Sequence, residues 1–241
     1  MIVFHLFNFL FHWSYPIYKP LYFAYKRYSD RTRIAFIKDH INPGDFVLDI
    51  GANIGFYTCL FSHLVGPNGK VVAFEPDEVN FKRLSANVQG LNNVELHNSA
   101  AGESNETIKL YYSDKLNVDH QTYDIGEDRG AVDIESVRID DVIDINEKIT
   151  FIKIDIQGYD YKAMKGMNRI LSKSAPISIL GEYWPYGIDK AGDPPLDYLN
   201  YLEELDFVVE ILDGLSKGEL NEKIEVKGYY TDFKASKSIA I

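Results

Sequence analysis

The residues most suited to chemistry in this chain begin at Val47-Leu-Asp49-Ile-Gly51-Ala52-Asn53-Ile-Gly55, where an apolar run ends in an acid and turns through two glycines. Glycines at a strand-to-helix turn let a ligand approach the backbone. Such a turn at the carboxyl end of a strand is where open α/β sheets hold ligands. A pyrophosphate fingerprint would read G-x-G-x-x-G, and Asn53 stands where its second glycine belongs. Asp49 would face a diphosphate badly and a cation well, such as the amino group of a methionine moiety. The next apolar run ends in Phe74-Glu75-Pro76, which puts Glu75 24 residues after Gly51. An acid there accepts hydrogen bonds from two ribose hydroxyls. Asp49, Gly51, Ala52, Asn53, Gly55 and Glu75 form one candidate binding set, against the plainer reading of a tight turn with a surface acid.

Two further carboxylates follow apolar runs. Asp155 ends Phe151-Ile-Lys-Ile-Asp155, and Glu182 follows Ile177-Ser-Ile-Leu180-Gly181. Either could take a proton from a hydroxyl or position a substrate; a helix cap or a structural ion pair is the simpler reading. His120 lies in Asn117-Val-Asp-His120 within the polar stretch 113–130. Its ordinary pKa suits a general base, and a solvated loop histidine is the alternative. The histidines at 5, 12, 40, 63, 97 and 120 form no H-x-x-x-H or H-E-x-x-H pattern. Two carboxylates alone are a weak oxygen site for Mg²⁺, so no metal is expected. The single cysteine, Cys59, can make no internal disulfide and reads as a small buried hydrophobe.

These residues need a frame. Apolar runs at 46–50, 71–74, 94–97, 151–155 and 177–180 alternate with amphipathic stretches at 57–65, 76–89, 159–171 and 195–205. Strand, helix, strand at this spacing means a parallel sheet covered by helices on both faces. Runs at 107–112 and 132–139 read as strands around a long functional loop. The segments 207–212 and 236–241 are expected to close the sheet with an antiparallel edge. Asp193-Pro-Pro-Leu196 mimics a D-P-P-Y motif, but it lies away from the fourth strand end and reads as a helix cap and first turn.

The chain has 241 residues with a net charge of −11, enough for one domain and an extension. So acidic a surface repels phosphate backbones, so no nucleic-acid partner is expected. Its 33 aromatic residues are unevenly placed, and ten fall in the first 25 positions. Residues 1–18 carry no Lys, Arg, Asp or Glu. His5, Asn8 and His12 mark a polar stripe, and Pro16 and Pro20 are expected to break any continuation. Lys19, Lys26 and Arg27 follow. Residues 1–40 thus read as an aromatic-rich helical extension to a domain at 41–241. It is a flap packed on that domain or a homodimer contact, with residues 1–25 as a peripheral membrane contact in the alternative. The lone cysteine suits a cytoplasmic location.

The stretches VLDIGANIGFYT (47–58), VVAFEP (71–76), NSAAGE (98–103), SVRIDDVI (136–143), FIKIDIQGYDYKAMKGM (151–167) and GEYWPYGI (181–188) resemble the FkbM family of S-adenosylmethionine-dependent methyltransferases. The resemblance covers roughly residues 40–215 and is most specific at IKIDIQG, where many relatives carry Glu in place of Gln157. It implies a class I methyltransferase fold, a Rossmann-like sheet, and O-methylation of a sugar, glycan or other small-molecule hydroxyl. N-methylation, or a cofactor-binding module without turnover, are the alternatives. By position it would put Asp49, Gly51 and Asn53 at the methionine end, Glu75 at the ribose, and Ser99 and Ala100 beside the adenine. Asp155 would face the methyl group and the acceptor.

Overall fold

The computed structural model describes residues 10–11, 13–112, 121–123, 130–173 and 176–238. In chain order the helices are α1 (Tyr15–Ser29), α2 (Arg31–His40), α3 (Phe56–Val65), α4 (Glu78–Asn87), α5 (Ile139–Val142), α6 (Asp160–Lys165), α7 (Asn168–Lys173), α8 (Pro185–Lys190), α9 (Pro195–Glu204) and α10 (Lys217–Asn221). The strands are β1 (Phe46–Ile50), β2 (Lys70–Phe74), β3 (Val94–His97), β4 (Ala100–Ala101), β5 (Glu106–Tyr111), β6 (Ala131–Val137), β7 (Ile149–Ile154), β8 (Ile177–Tyr183), β9 (Val208–Ile211) and β10 (Thr231–Lys237).

Seven strands form one sheet in the order β3-β2-β1-β7-β8-β10-β9. The first five run parallel, and β10 pairs antiparallel with both β8 and β9. β1 is apolar except for Asp49 and buried along its whole length, as a parallel strand covered on both faces must be. From β1 the chain winds outward through β2 and β3, then returns to lay β7 on the other side. That reversal opens a crevice at the strand ends between β1 and β7. β4, β5 and β6 form a separate small sheet beside it.

Alternating side chains feed two cores. Leu48, Val72 and Ile152 point to one face, with Met164 and Leu202. Val47, Val71 and Phe151 point to the other, which the N-terminal helices cover with Phe11, Tyr18, Phe23 and Ile37. The early aromatics account for that cover. Phe11 meets Tyr18 edge-on at 5.2 Å, and Phe23 meets Phe56 of α3 at 5.3 Å. Arg83 of α4 lies over Phe11 and Tyr15, 4.3 and 3.9 Å from the ring centroids.

Several sequence expectations are corrected. Pro16 and Pro20 do not stop the N-terminal helix. Pro16 sits in the first turn, where an N–H has no helical partner, and Pro20 is accommodated inside α1 with its ring exposed to solvent. The helix expected over 159–171 is two, divided at Gly166, where a β-carbon would come 1.8 Å from the Gly102 carbonyl. The last strand is 231–237, with Thr231, Phe233 and Ala235 buried in alternation. Asp193 caps nothing: Pro194 precedes α9, and the Asp193 carboxylate pairs with Lys162 and Lys165 at 3.0 and 3.1 Å. Cys59 is half-buried in α3. His5, Asn8 and His12 lie outside the described residues, as does most of 113–130. Among the described residues no helix is long and apolar enough to cross a membrane.

Candidate active site

The crevice has a volume of about 1160 Å³. Gly51, Ala52 and Asn53 line it from the turn after β1, Glu75 from the end of β2, Ser99 from the turn after β3, Ala100 from the start of β4, and Asp155 from the end of β7. The turn takes left-handed backbone at Gly51 (φ 79°), Asn53 (φ 50°) and Gly55 (φ 88°). Asparagine is among the few non-glycine residues that tolerate this region. Gly55 does not line the crevice: its bare α-carbon packs on Leu84 and lets α3 lie close to α4.

Glu75 is nearly buried. Its Oε2 accepts the Asn53 backbone N–H at 2.8 Å, and its Oε1 accepts that of Asp77 at 3.0 Å. Burial outweighs these bonds and raises its pKa to about 7. A carboxylate held this way, with oxygen lone pairs left over, fits a vicinal diol that donates two more hydrogen bonds. The residues here therefore fit the ribose of a nucleoside cofactor.

Asp49 departs from its expected place. It shares Val47's face of β1, so the pleat turns it under the sheet toward α3 and away from the crevice lining. There it accepts the Thr58 hydroxyl at 2.6 Å and lies 3.7 Å from the Lys153 ammonium. Burial raises its pKa, against the pull of Lys153 and Thr58. Lys153 also donates to the Gly51 carbonyl at 2.8 Å. Asp49 thus acts on the Gly51 turn indirectly, by holding the cation that holds the turn.

Asp155 and Glu182 come together at the ends of adjacent strands. One amide bridges them: Gln157 Nε2 donates to Asp155 Oδ1 at 3.2 Å and to Glu182 Oε1 at 3.3 Å. Gln157 itself is left-handed, at φ 56°. The backbone N–H groups of Ile156 and Gly158 on either side donate to Asp160, which fixes the turn. The two acids titrate in opposite directions. Burial acts to raise Asp155, but Lys153, Arg33 and Lys26 bring it below its ordinary value. Burial, with Asp155 and Asp160 as like charges, pushes Glu182 well above its own. Opposed shifts in neighbouring carboxyls are a signature of acid–base sites.

The sequence reading missed the wall facing these acids. Arg33 of α2 donates to both carboxylate oxygens of Asp232, and its third nitrogen lies 3.9 Å from Asp155. Lys26 pairs with Asp30, which also accepts the Tyr57 hydroxyl at 2.6 Å. Tyr22, Tyr25, Trp184 and Tyr230 add aromatic surface to the same crevice. Lys153 left a trace in the sequence, as a cation inside a buried apolar run. His120 lies outside the described residues. The loop that carries it returns at Gln121 and Thr122, which line the crevice, and the Tyr123 hydroxyl donates to the Gln157 carbonyl at 2.7 Å. Among the described residues no group of three or more His, Cys, Asp or Glu could hold a metal.

Residues 49–209 match the Methyltransferase FkbM domain. The 31-O-demethyl-FK506 methyltransferase FkbM of Streptomyces tacrolimicus is 53% identical over 47 residues, 20% of this chain and 18% of that relative's length. The hexuronic acid methyltransferase AglP of Haloferax volcanii is 24% identical over 185 residues, 76% of this chain and 72% of the relative. Among solved structures, an rRNA methylase from Streptococcus thermophilus superposes with a TM-score of 0.53 at 14% identity, covering 86% of this chain and 95% of the other. At that identity the likeness is one of fold. The chain belongs to the FkbM methyltransferase family, and it is an enzyme with the class I fold that uses S-adenosylmethionine as its methyl donor.

Proposed function

We propose that this enzyme methylates a hydroxyl group on a sugar, glycan or similar small molecule, and that Asp155 receives the hydroxyl's proton. The observation that carries the reading is the Asp155–Gln157–Glu182 cluster beside the Gly51 turn, in a crevice that also holds Glu75. Two relatives are named for small-molecule acceptors, one a hexuronic acid. The aromatic wall suits the apolar faces of a sugar ring, and the paired acids suit its hydroxyls. A net charge of −11 speaks against a nucleic-acid acceptor. Residues 1–40 are read as an extension that completes the site of a domain at 41–241.

Gly51, Ala52, Asn53, Glu75, Ser99 and Ala100 would hold the cofactor, which would supply a methyl group on a sulfonium. The protein's task is alignment of the acceptor oxygen with that group, which can supply much of the rate. Asp155, ionised, accepts the hydrogen bond of the acceptor hydroxyl and aims its lone pair. The acceptor oxygen would gain the methyl carbon as that carbon's bond to sulfur breaks, which makes the hydroxyl strongly acidic, so even a carboxylate held below its ordinary range would take the proton. Burial and the like charges of Asp155 and Asp160 favour the protonated form of Glu182, which could donate a hydrogen bond to the acceptor. Gln157 fixes both acids with a neutral amide, where a glutamate would bring a third carboxyl group.

The test is methyl uptake from labelled donor, screened over hydroxylated sugars and lipids. With an acceptor in hand, Asp155→Asn is expected to lose about 10²–10⁴-fold in turnover while S-adenosylhomocysteine affinity changes little. Near-wild-type turnover in Asp155→Asn, with activity abolished by His120→Ala, moves the base to the loop and refutes the assignment. Label appearing only on amines refutes the hydroxyl acceptor.

A further inference from the structure

We propose that the outer face of α1 docks on the surface of an anionic lipid bilayer. The helix has two apolar sides. One carries Tyr18 and Phe23 into the core. On the other, Ile17, Leu21, Tyr25 and Tyr28 recur at helical spacing, with Trp13 just ahead of them, and all five are exposed. Trp13 keeps 78% of its surface in water and Tyr28 74%. An amphipathic helix needs one apolar stripe to join a core, and a second one needs another partner.

The chemistry of the stripe selects a membrane surface. Tryptophan and tyrosine at its ends are the side chains that settle where hydrocarbon meets headgroups. Charge agrees. Residues 15–40 hold six Lys and Arg against two Asp, in a chain whose net charge is −11. Lys26 and Arg33 turn inward to Asp30 and Asp232. Arg27, Arg31 and Lys38 remain exposed, and Arg31 lies over the Tyr28 ring at 5.7 Å, beside the stripe. At 1.5 Å per residue the helix spans roughly 22 Å, short of the ~30 Å hydrocarbon core, so it lies in the surface plane. Tyr25 belongs both to the stripe and to the crevice wall. A docked enzyme therefore takes a lipid-borne hydroxyl into the crevice at the surface, a consequence that rests on the reading of the crevice above. The docking itself does not.

The test uses the full chain with vesicles of phosphatidylcholine, with and without phosphatidylserine. Flotation is expected with phosphatidylserine and at least about tenfold weaker without it or at high salt. Trp13 emission shifts to the blue on binding, and the shift is absent in Trp13→Phe. Ile17→Glu with Leu21→Glu abolishes flotation while S-adenosylhomocysteine affinity stays within about twofold, since neither residue lines the crevice. No flotation of the full chain, or flotation that survives the double substitution, overturns the proposal. So does a dimer in sedimentation that the double substitution splits while no vesicles are bound, because the stripe is then a self-association face. Failure of the wild type to bind S-adenosylhomocysteine strikes the reading of the crevice, and flotation still decides the docking.

Discussion

S-adenosylhomocysteine is expected to bind less tightly in acid, with Glu75 setting the midpoint. In the free enzyme burial holds this carboxyl near pKa 7, up from an ordinary 4.5. Two ribose hydroxyls donating to it would favour the ionised form and return it toward the ordinary value. Binding then selects the carboxylate, so affinity is full above pH 7 and falls as pH drops through it. With those end points, affinity at about pH 5.5 is roughly 25-fold below that at about pH 8, or about 2 kcal/mol. Near pH 6 the complex releases roughly 0.9 proton on forming. The same shift makes the free fold lose stability as pH rises from about 4.5 to 7, because the folded state holds a proton that the unfolded chain releases. Calorimetry in buffers of different ionisation enthalpy counts the proton directly. Glu75→Gln removes the midpoint and lowers affinity at high pH by roughly 10–100-fold through lost charged hydrogen bonds. Asp160, also raised to about 7, titrates in both proteins and cancels from the comparison. An unchanged pH profile and proton count in Glu75→Gln would refute the reasoning.

Lys153→Met is expected to destabilise the fold by about 3–5 kcal/mol, because it leaves the buried Asp49 carboxylate without its cation. Adding Asp49→Asn should recover part of that loss in urea unfolding, and no recovery would show that the two are not coupled. Gly51 and Gly90 both have positive φ, yet a β-carbon at Gly51 would come 2.2 Å from the Asp155 carbonyl, and one at Gly90 meets nothing within 4 Å. Gly90→Ala should therefore cost only the left-handed strain, about 1–2 kcal/mol. Gly51→Ala should cost more and lose S-adenosylhomocysteine binding, and equal losses in thermal melts would remove the collision argument.

What could be read from the sequence followed from burial. β1, β2 and β7 are covered on both faces, so they stand out as short apolar runs. β10 buries one face only, and its lysines hid the alternation of Thr231, Phe233 and Ala235. β4 has two residues and leaves no pattern at all. Within the site, residue types on strand-end turns were legible, as with Gly51, Asn53 and Glu75. Direction was not: the pleat that turns Asp49 under the sheet is a property of the folded strand. Nor was the wall. Arg33 and Asp232 are 199 positions apart, and only the folding of α2 against β10 makes them neighbours.

That pair has a consequence for how acceptor choice is stored in the chain. The turns proposed to hold the donor lie inside residues 49–209, the part shared with the family. The opposite wall comes from Tyr18 to Arg33 and from Lys227 to Asp232, on either side of that part. On the proposed reading a fixed cofactor would constrain the first, whereas the second could be redrawn for a new acceptor. The guanidinium clasp means that its two pieces cannot be redrawn separately. A chimera that takes the N-terminal helices from one relative and the last strand from another would leave a carboxylate unanswered next to Asp155. If that wall reads the acceptor, as proposed above, the two flanks would have to be exchanged together as one cassette.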